Sequence, residues 1–208
     1  MQIFISGTGT DIGKTFILER ICKELISEGK KVRAIKPIIS GFKDDDCGSD
    51  SAKIIKFLDL ELNKENLDKI SPYRFSEPLS PNIAANIEGR EINFSNLVKF
   101  CQNEINLAKE NGEYLLIEGA GGVMTPINND KTFLDLIKEL QIPTILVVGN
   151  YLGTISHTLT AIKTIQSSGV VINKIIFNCK EDTLSEQKQV ETLRNFTDIE
   201  ISIENKLL

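Results

Sequence analysis

The stretch SGTGTDIGKTF, residues 6–16, places a glycine-rich loop between an apolar run and a segment of helical period. Its ending, Gly13-Lys14-Thr15, matches the P-loop of nucleoside triphosphatases. There, backbone amides at a helix start bind phosphate, the lysine reaches the outer phosphates and the threonine holds magnesium. The usual P-loop has a glycine at the position of Thr8, so this loop is one residue longer.

A dinucleotide-binding loop is the other glycine-rich template, and the sequence argues against it. Gly7 and Gly9 fit that template, but Ile12 stands where its third glycine would pack helix against strand. The segment EGKKVR, residues 28–33, is basic where an acidic residue would bind a ribose. The loop therefore predicts a triphosphate site.

Short apolar runs alternate along the chain with longer segments of helical period. Five of the runs predict strands: QIFIS, KVRAIKP, YLLIEG, TILVVG and KIIFN. Helices are predicted for residues 13–29, 93–111, 132–140, 154–168 and 184–195. Strands this apolar, separated by helices, indicate an α/β fold of the P-loop NTPase type, a mostly parallel sheet with helices on both faces. No linker or repeat divides the chain, so residues 1–208 are predicted to form one domain.

Polar and charged residues follow these strands at the edge where parallel sheets bind ligands. Lys36 ends the second strand and Glu118 the third. We expect Lys36 to neutralise a phosphate or an anionic intermediate, and Glu118 to lie near magnesium. The small residues GAGG, 119–122, would let backbone approach a ligand closely. Asp50 could either bind a ligand at this edge or only cap the helix SAKIIKFL, and the residues alone leave both interpretations open. Asp44, Asp45 and Asp46 are predicted to form a solvated turn.

Composition and charge restrict the class of protein. The chain of 208 residues carries a net charge of −5, which argues against nucleic acid or an anionic membrane as the main partner. Its four cysteines form no C-x-x-C pair and are expected to be free thiols in a reducing compartment. No targeting segment or membrane-spanning run is visible, so a cytoplasmic location is predicted. The single histidine, His157, is given no catalytic role, and no hydrolytic triad is evident.

Six motifs resemble, in order along the chain, those of the dethiobiotin synthetases of the biotin pathway. They are an extended P-loop, a lysine loop, an aspartate loop, a substrate segment, a strand-end acid motif and an interface loop: GTGTDIGKT, KPIISG, GSDSA, SPNIAANIEGREI, EGAGGVMTPI and LVVGNYLGTISHT. The resemblance implies an ATP-dependent cyclo-ligase with a P-loop fold, usually a homodimer. Such an enzyme acts on 7,8-diaminononanoate, CO2 (or bicarbonate) and ATP with Mg2+.

The resemblance also implies roles for particular residues of this chain. Lys36 would stabilise a carbamate and its phosphorylated intermediate, Lys14 would hold the phosphates, and Thr10 would line the reacting end of the substrate. The magnesium ligands would be Thr15, Asp50 and Glu118. Together with these, the nucleotide would contact Asp11, Ile12, Gly13, Lys14, Phe16, Gly119, Ala120, Gly121 and Asn178. The diamine would contact Thr10, Ser40, Pro81, Gly121 and Gly122, and its carboxylate end would meet the interface loop of a second subunit, Gly153, Thr154, Ile155 and Ser156.

Two departures from the family pattern are visible. Ser156 stands where many relatives have asparagine, so that contact is expected to be weaker or water-mediated. No proline follows Pro143, whereas relatives use a late proline loop against the purine. Asn178 alone is then expected to face the base, and discrimination among nucleoside triphosphates is expected to be weak.

Three other classes share part of this pattern. A P-loop NTPase switch or carrier of the partition type has a similar alternation of strands and helices, but it has a lysine where Gly9 stands. A nucleotide-dependent amidase of the corrinoid pathway shares the loop and normally adds an amidotransferase domain, for which this chain has no room. A pure binding module would leave Lys36 and the two acids without a task.

Overall fold

A computed structural model describes residues 1–43, 47–179, 181 and 183–205 of the chain. The turn predicted at residues 44–46 lies outside this described part. Among the described residues, no helix combines the length and the apolar character needed to cross a bilayer.

The elements follow one another in a β/α succession. The strands are β1 Gln2–Gly7, β2 Val32–Ile35, β3 Ile38–Ser40, β4 Tyr73–Phe75, β5 Tyr114–Glu118, β6 Thr144–Gly149, β7 Ile172–Cys179 and β8 Ile201–Asn205. The helices are α1 Lys14–Ser27, α2 Asp50–Phe57, α3 Lys64–Ile70, α4 Pro81–Ile87, α5 Phe94–Glu110, α6 Phe133–Leu140, α7 Thr154–Ser167 and α8 Leu184–Arg194.

The main sheet has six strands in the order β2-β5-β1-β6-β7-β8, and every pairing in it is parallel. The five predicted strands are all present in it, and the predicted P-loop α/β fold is confirmed. The sixth strand, β8, was not predicted from the sequence. Its residues ISIEN are mostly only half-buried at the sheet edge, so they lack the continuous apolar run that marks the inner strands.

The main sheet buries both of its faces, as predicted. On β1, Phe4 packs into one hydrophobic cluster while its neighbours Ile3 and Ile5 pack into another. Successive side chains of a strand point to opposite faces, so the two clusters lie on opposite sides of the sheet. Helix α1 contributes Ile17 to the cluster of Ile3, whereas α5 and α6 contribute to the cluster of Phe4.

A smaller unit follows β2. Strands β3 and β4 form a parallel two-stranded sheet, and helices α2, α3 and α4 lie in the same stretch of chain. Ile38 and Phe75 of this small sheet are buried in the same cluster as Phe4, so it packs directly on the main sheet. The unit thereby carries Ser40, Asp50 and Pro81 to one cavity together with residues of the loop after β1 and the start of α1.

Candidate active site

The extended P-loop is held in place by the apolar side chain of Ile12. Ile12, which breaks the dinucleotide pattern, is 7% exposed and fills space left by two glycines. A Cβ atom on Gly7 would lie 2.4 Å from the Ile12 side chain, and one on Gly149 would lie 2.9 Å from it. The longer loop is therefore anchored by an apolar side chain that wedges between the ends of β1 and β6.

Asn178 and Gly13 lock the loop to the start of α1. The amide of Asn178 donates a hydrogen bond of 2.7 Å to the carbonyl of Ile12. Gly13 caps α1 with a φ of +96°, and a Cβ there would lie 2.0 Å from the Asn178 nitrogen. Both the positive φ and the close approach require glycine at this position. Asn178, expected to face a base, thus first serves to brace the phosphate loop.

Lys14 is the first residue of α1 and is 6% exposed. Its ammonium donates a 2.6 Å hydrogen bond to the carbonyl of Gly9, so it lies under the loop at the free N-terminus of the helix. Burial lowers the pKa of Lys14 to about 8; Glu118 opposes this shift and Lys36 adds to it. An anion at the helix start would remove that penalty, because it would supply the missing opposite charge.

Lys36, Asp50 and Glu118 form a nearly buried ion cluster at the end of β2 and β5. The Lys36 ammonium donates to the Asp50 carboxylate and, over 2.8 Å, to Oε1 of Glu118. Lys36 is 6% exposed and Glu118 is fully buried. Although burial alone would lower it, the two carboxylates raise the pKa of Lys36 above its usual value. Lys36 in turn holds the pKa of Asp50 below its usual range against the effect of burial. The two carboxylates therefore favour the charged form of Lys36.

The same cluster offers oxygen atoms of the kind that a hard cation binds. The Thr15 hydroxyl donates to Oε1 of Glu118 over 2.8 Å, while Oε2 of Glu118 is buried without a hydrogen-bond partner among the described residues. Asp50 completes the set. No group of three or more His, Cys, Asp or Glu side chains suited to a metal occurs in the described part of the chain. Two carboxylates and one hydroxyl fit Mg2+, which commonly takes one or two carboxylates and completes its shell with phosphates and water.

A cavity of about 950 Å³ lies over this cluster; we call it the lysine cavity. Thr10, Asp11, Gly13, Lys14, Thr15 and Phe16 line one side of it, and Ala120 and Gly121 lie on the β5 side. The smaller unit after β2 contributes Ser40 and Pro81 to the lining of the cavity. The Ser40 hydroxyl is buried and has no hydrogen-bond partner among the described residues. The structure thus brings nine of the twelve predicted nucleotide residues and four of the nine predicted diamine residues to one cavity, whereas Ile12 and Asn178 line a separate one.

The glycine run after β5 lies against the P-loop and the sheet. A Cβ on Gly122 would lie 3.3 Å from the carbonyl of Thr8, and one on Gly119 would lie 3.1 Å from the Phe4 ring. Gly121 has a φ of +64°. These contacts explain why this turn is built from small residues.

The predicted interface loop lies away from the lysine cavity. Gly153, Thr154, Ile155 and Ser156 line a different cavity of about 840 Å³ at the start of α7, and Leu152 beside it is fully exposed. Tyr151 links this loop to the phosphate loop, because its hydroxyl lies 3.3 Å from that of Thr8 and 3.1 Å from Nδ1 of His157. Within one subunit, these four residues do not line the lysine cavity.

Sequence reasoning missed several residues around the site. Lys53 lines the lysine cavity and forms an ion pair of 3.3 Å with Asp50. Thr125 accepts a 2.8 Å hydrogen bond from the amide of Gly122. Thr125 lies within the motif EGAGGVMTPI and could have been found there, whereas Lys53 resembles any exposed helical lysine.

The comparisons with known proteins agree with one another. The family model described as "AAA domain" matches residues 1–203. The chain is 39% identical over 178 residues to the ATP-dependent dethiobiotin synthetase of Methylobacterium nodulans, covering 84% of this chain and 79% of that protein. It is 37% identical to the synthetase of Caulobacter vibrioides, covering 94% and 87%, and 34% identical to that of Methanocaldococcus jannaschii, covering 96% and 91%.

Solved structures share the fold at low identity. The cell-division protein MinD of Aquifex aeolicus is 16% identical, with a TM-score of 0.59 over 99% of this chain and 81% of that one. Chloroplast FtsY of Physcomitrella patens is 15% identical, with a TM-score of 0.55 over 97% of this chain and 57% of that one. At such identities the likeness supports the fold alone.

Proposed function

This chain belongs to the ATP-dependent dethiobiotin synthetase family, and we propose that the lysine cavity is where its cyclo-ligase reaction takes place. The enzyme is an ATP-dependent dethiobiotin synthetase of biotin biosynthesis, as the curated relatives are. Its substrates are diaminononanoate, CO2 and ATP. The observation that carries the assignment to this cavity is the Lys36 ammonium, which is nearly buried beside Glu118 and lines the same cavity as Lys14.

The reaction needs charge in place more than it needs a nucleophilic side chain. One amine of the diamine adds to CO2 and loses a proton, which gives a carbamate. A carbamate oxygen attacks the γ-phosphorus of ATP and ADP leaves, which gives a carbamic–phosphoric anhydride. The second amine then attacks the carbonyl carbon and loses a proton, phosphate leaves and the ureido ring closes. Two anions must meet in the second step, so fixed positive charge is the main requirement.

The residues of the cavity suit this requirement. Lys14, which bonds to the P-loop carbonyl of Gly9, would bind the β- and γ-phosphates of the nucleotide. Lys36, beside Glu118, would stabilise the carbamate and its phosphorylated form. Thr10 and Ser40 offer hydroxyl groups to the reacting end, and the backbone of Gly121 and its neighbours flanks it. Because the Ser40 hydroxyl has no partner of its own among the described residues, it is free to bond substrate.

Mg2+ would be held by Thr15, Asp50 and Glu118 and would neutralise charge on the transferred phosphoryl group. Oε2 of Glu118, which has no hydrogen-bond partner in the part of the chain that the structure describes, supports this assignment.

We further propose that the enzyme acts as a homodimer. The interface loop, residues 153–156, lines its own cavity and not the lysine cavity of the same subunit. Its helix α7 begins at Thr154, and the N-cap residue Gly153 has no side chain to cap it. The Thr154 amide donates to the carbonyl of Tyr151, so the amides of Ile155 and Ser156 would be the ones to bind the carboxylate of a diamine in a partner subunit. Exposed Leu152 beside the loop is consistent with burial in a dimer.

Three further assignments remain proposals of the same kind. Residues 1–208 form one P-loop domain, since the small sheet shares the cluster of Phe4. Asn178, at the end of β7, would face the nucleotide base. The enzyme would be cytoplasmic, consistent with the absence of a disulfide at Cys22, Cys47, Cys101 and Cys179 in the part of the chain that the structure describes.

A phosphate-release assay tests the assignment. Purified protein is mixed with ATP and Mg2+, with and without bicarbonate and diaminononanoate. A synthetase releases phosphate only when the diamine and bicarbonate are both present. Steady hydrolysis without the diamine would instead indicate an NTPase switch of the partition type.

A further inference from the structure

Two serines that lie far apart in sequence connect the backbones of the lysine and aspartate loops. Ser51 follows Asp50 in the first turn of α2, and Ser71 directly follows the end of α3. Their hydroxyl oxygens lie 2.7 Å apart, and both residues are completely buried. The Ser71 hydroxyl also donates a 2.7 Å hydrogen bond to the carbonyl of Lys36.

The direction of this chain of hydrogen bonds follows from the number of protons. Each hydroxyl has one proton to donate. Ser71 gives its proton to the Lys36 carbonyl, so Ser51 must donate to Ser71. The result is a directed relay from the residue after Asp50 to the backbone of Lys36.

Ser71 is itself firmly fixed. Its amide donates 2.7 Å to the carbonyl of Leu67, and its carbonyl accepts 2.6 Å from the guanidinium of Arg74. The amide of Lys36 donates to the carbonyl of Ile70, one residue before Ser71. Both backbone polar groups of Lys36 therefore bond to the C-terminal end of α3.

We propose that Ser51 and Ser71 are positioning residues that set the place of Lys36 relative to Asp50. This inference rests on the role proposed above for the lysine cavity. The ion pair alone does not fix the backbone, because the Lys36 side chain has four rotatable bonds and Asp50 stands on a separate helix. The relay fixes the Lys36 backbone relative to α2, the helix that carries Asp50. Catalysis by fixed charge is sensitive to displacement, and a shift of about 1 Å can lower a rate about a hundredfold.

The test separates positioning from stability. In Ser71→Ala, the Ser51 hydroxyl stays buried without its acceptor, so the variant loses both the relay and stability. In the double variant Ser51→Ala/Ser71→Ala, no hydroxyl is stranded, and the melting temperature should rise above that of Ser71→Ala. If the serines position the ion cluster, kcat of the double variant stays as low as that of Ser71→Ala, on the order of tenfold to a hundredfold below wild type.

KM for ATP should change by less than about threefold in both variants, because the P-loop is not part of the relay. Ser202→Ala is the matched control: it removes a buried hydroxyl on β8 that has no hydrogen-bond partner among the described residues, and its kcat should equal that of wild type. Recovery of kcat in parallel with melting temperature in the double variant would overturn the proposal, and so would a rise in KM with unchanged kcat.

A second measurement does not depend on turnover. Binding of Mn2+, used as a probe for Mg2+ and followed by electron paramagnetic resonance, should be at least about threefold weaker in Ser51→Ala, because Asp50 is no longer fixed near Glu118. Unchanged Mn2+ affinity in Ser51→Ala would overturn the relay even if wild type proved active. If wild type lacked diamine-dependent phosphate release, the proposed function would fail, while weaker Mn2+ binding would still support the relay.

Discussion

Replacing Lys36 by methionine should abolish turnover and, at the same time, strengthen the binding of a divalent metal ion. Methionine keeps most of the apolar stem of lysine and removes the charge. Turnover should fall about a hundredfold or more, because the carbamate and its phosphorylated form lose a preorganised cation. The effect on metal binding has the opposite sign. The Lys36 ammonium now bonds to both carboxylates of the proposed metal site, and it competes with the metal for them.

The size of the second effect can be estimated from the geometry. Two unit charges about 4 Å apart interact by about 4 kcal/mol at an effective dielectric constant of 20. The Asp50 side chain is 32% exposed, so solvent screens part of this repulsion. Without Lys36, the two carboxylates also repel each other and move apart, which offsets part of the gain in Mn2+ affinity. We therefore expect Mn2+ to bind about tenfold to a hundredfold more tightly, which corresponds to roughly 1.4 to 2.8 kcal/mol.

The assay is a titration of nucleotide-free protein with Mn2+, followed by electron paramagnetic resonance, beside steady-state kinetics on the same preparation. Lys53→Met is the matched control, because Lys53 also pairs with Asp50 but is half exposed. It should change Mn2+ affinity by no more than about threefold. Unchanged or weaker Mn2+ binding in a folded Lys36→Met variant would refute the competition between lysine and metal.

Three further predictions concern charge, pH and assembly. Glu118→Gln and Asp50→Asn should each raise the magnesium concentration needed for half-maximal turnover by about tenfold or more, because each removes a negative oxygen ligand from a hard cation; normal magnesium titrations in both variants would remove the shared site. ATP binding without magnesium should weaken above pH 8, approaching about tenfold per pH unit, because free Lys14 has a pKa of about 8 and phosphate binds its charged form; calorimetric affinity that stays constant from pH 7 to about 9.5 would contradict this. Leu152→Asp should shift the protein toward monomers in a sizing experiment and lower turnover in proportion, since Leu152 is fully exposed beside the interface loop; a fully active monomer would show that one subunit suffices.

The sequence predicted the parts of this molecule that depend on local pattern. Inner strands such as YLLIEG are continuous apolar runs, and the parallel arrangement places their carboxyl ends at one edge. That rule placed Lys36 and Glu118 at the same edge, whereas their contact also depends on β2 and β5 being neighbours in the sheet, which the sequence did not predict.

Contacts made by the smaller unit after β2 could not be predicted in this way. Asp50 lies in the first turn of α2, so its contact with Lys36 depends on how α2 packs. Hydrophobic periodicity in the sequence does not predict that packing. Nothing in the sequence distinguishes Ser51 and Ser71, 20 positions apart, from other polar residues. Only the fold shows that their hydroxyl oxygens lie 2.7 Å from each other. The strands β3 and β4 have three residues each, too few to show an alternation.

Incorporation of carbon from labelled bicarbonate tests the central claim most directly. The protein is incubated with carbon-14 bicarbonate, ATP, Mg2+ and diaminononanoate, and acid-stable label in the organic product is compared with phosphate released. A synthetase acting through a carbamic–phosphoric anhydride fixes one carbon for each phosphate, and omission of the diamine stops both. Phosphate release that continues without the diamine, with no label fixed, would contradict the account.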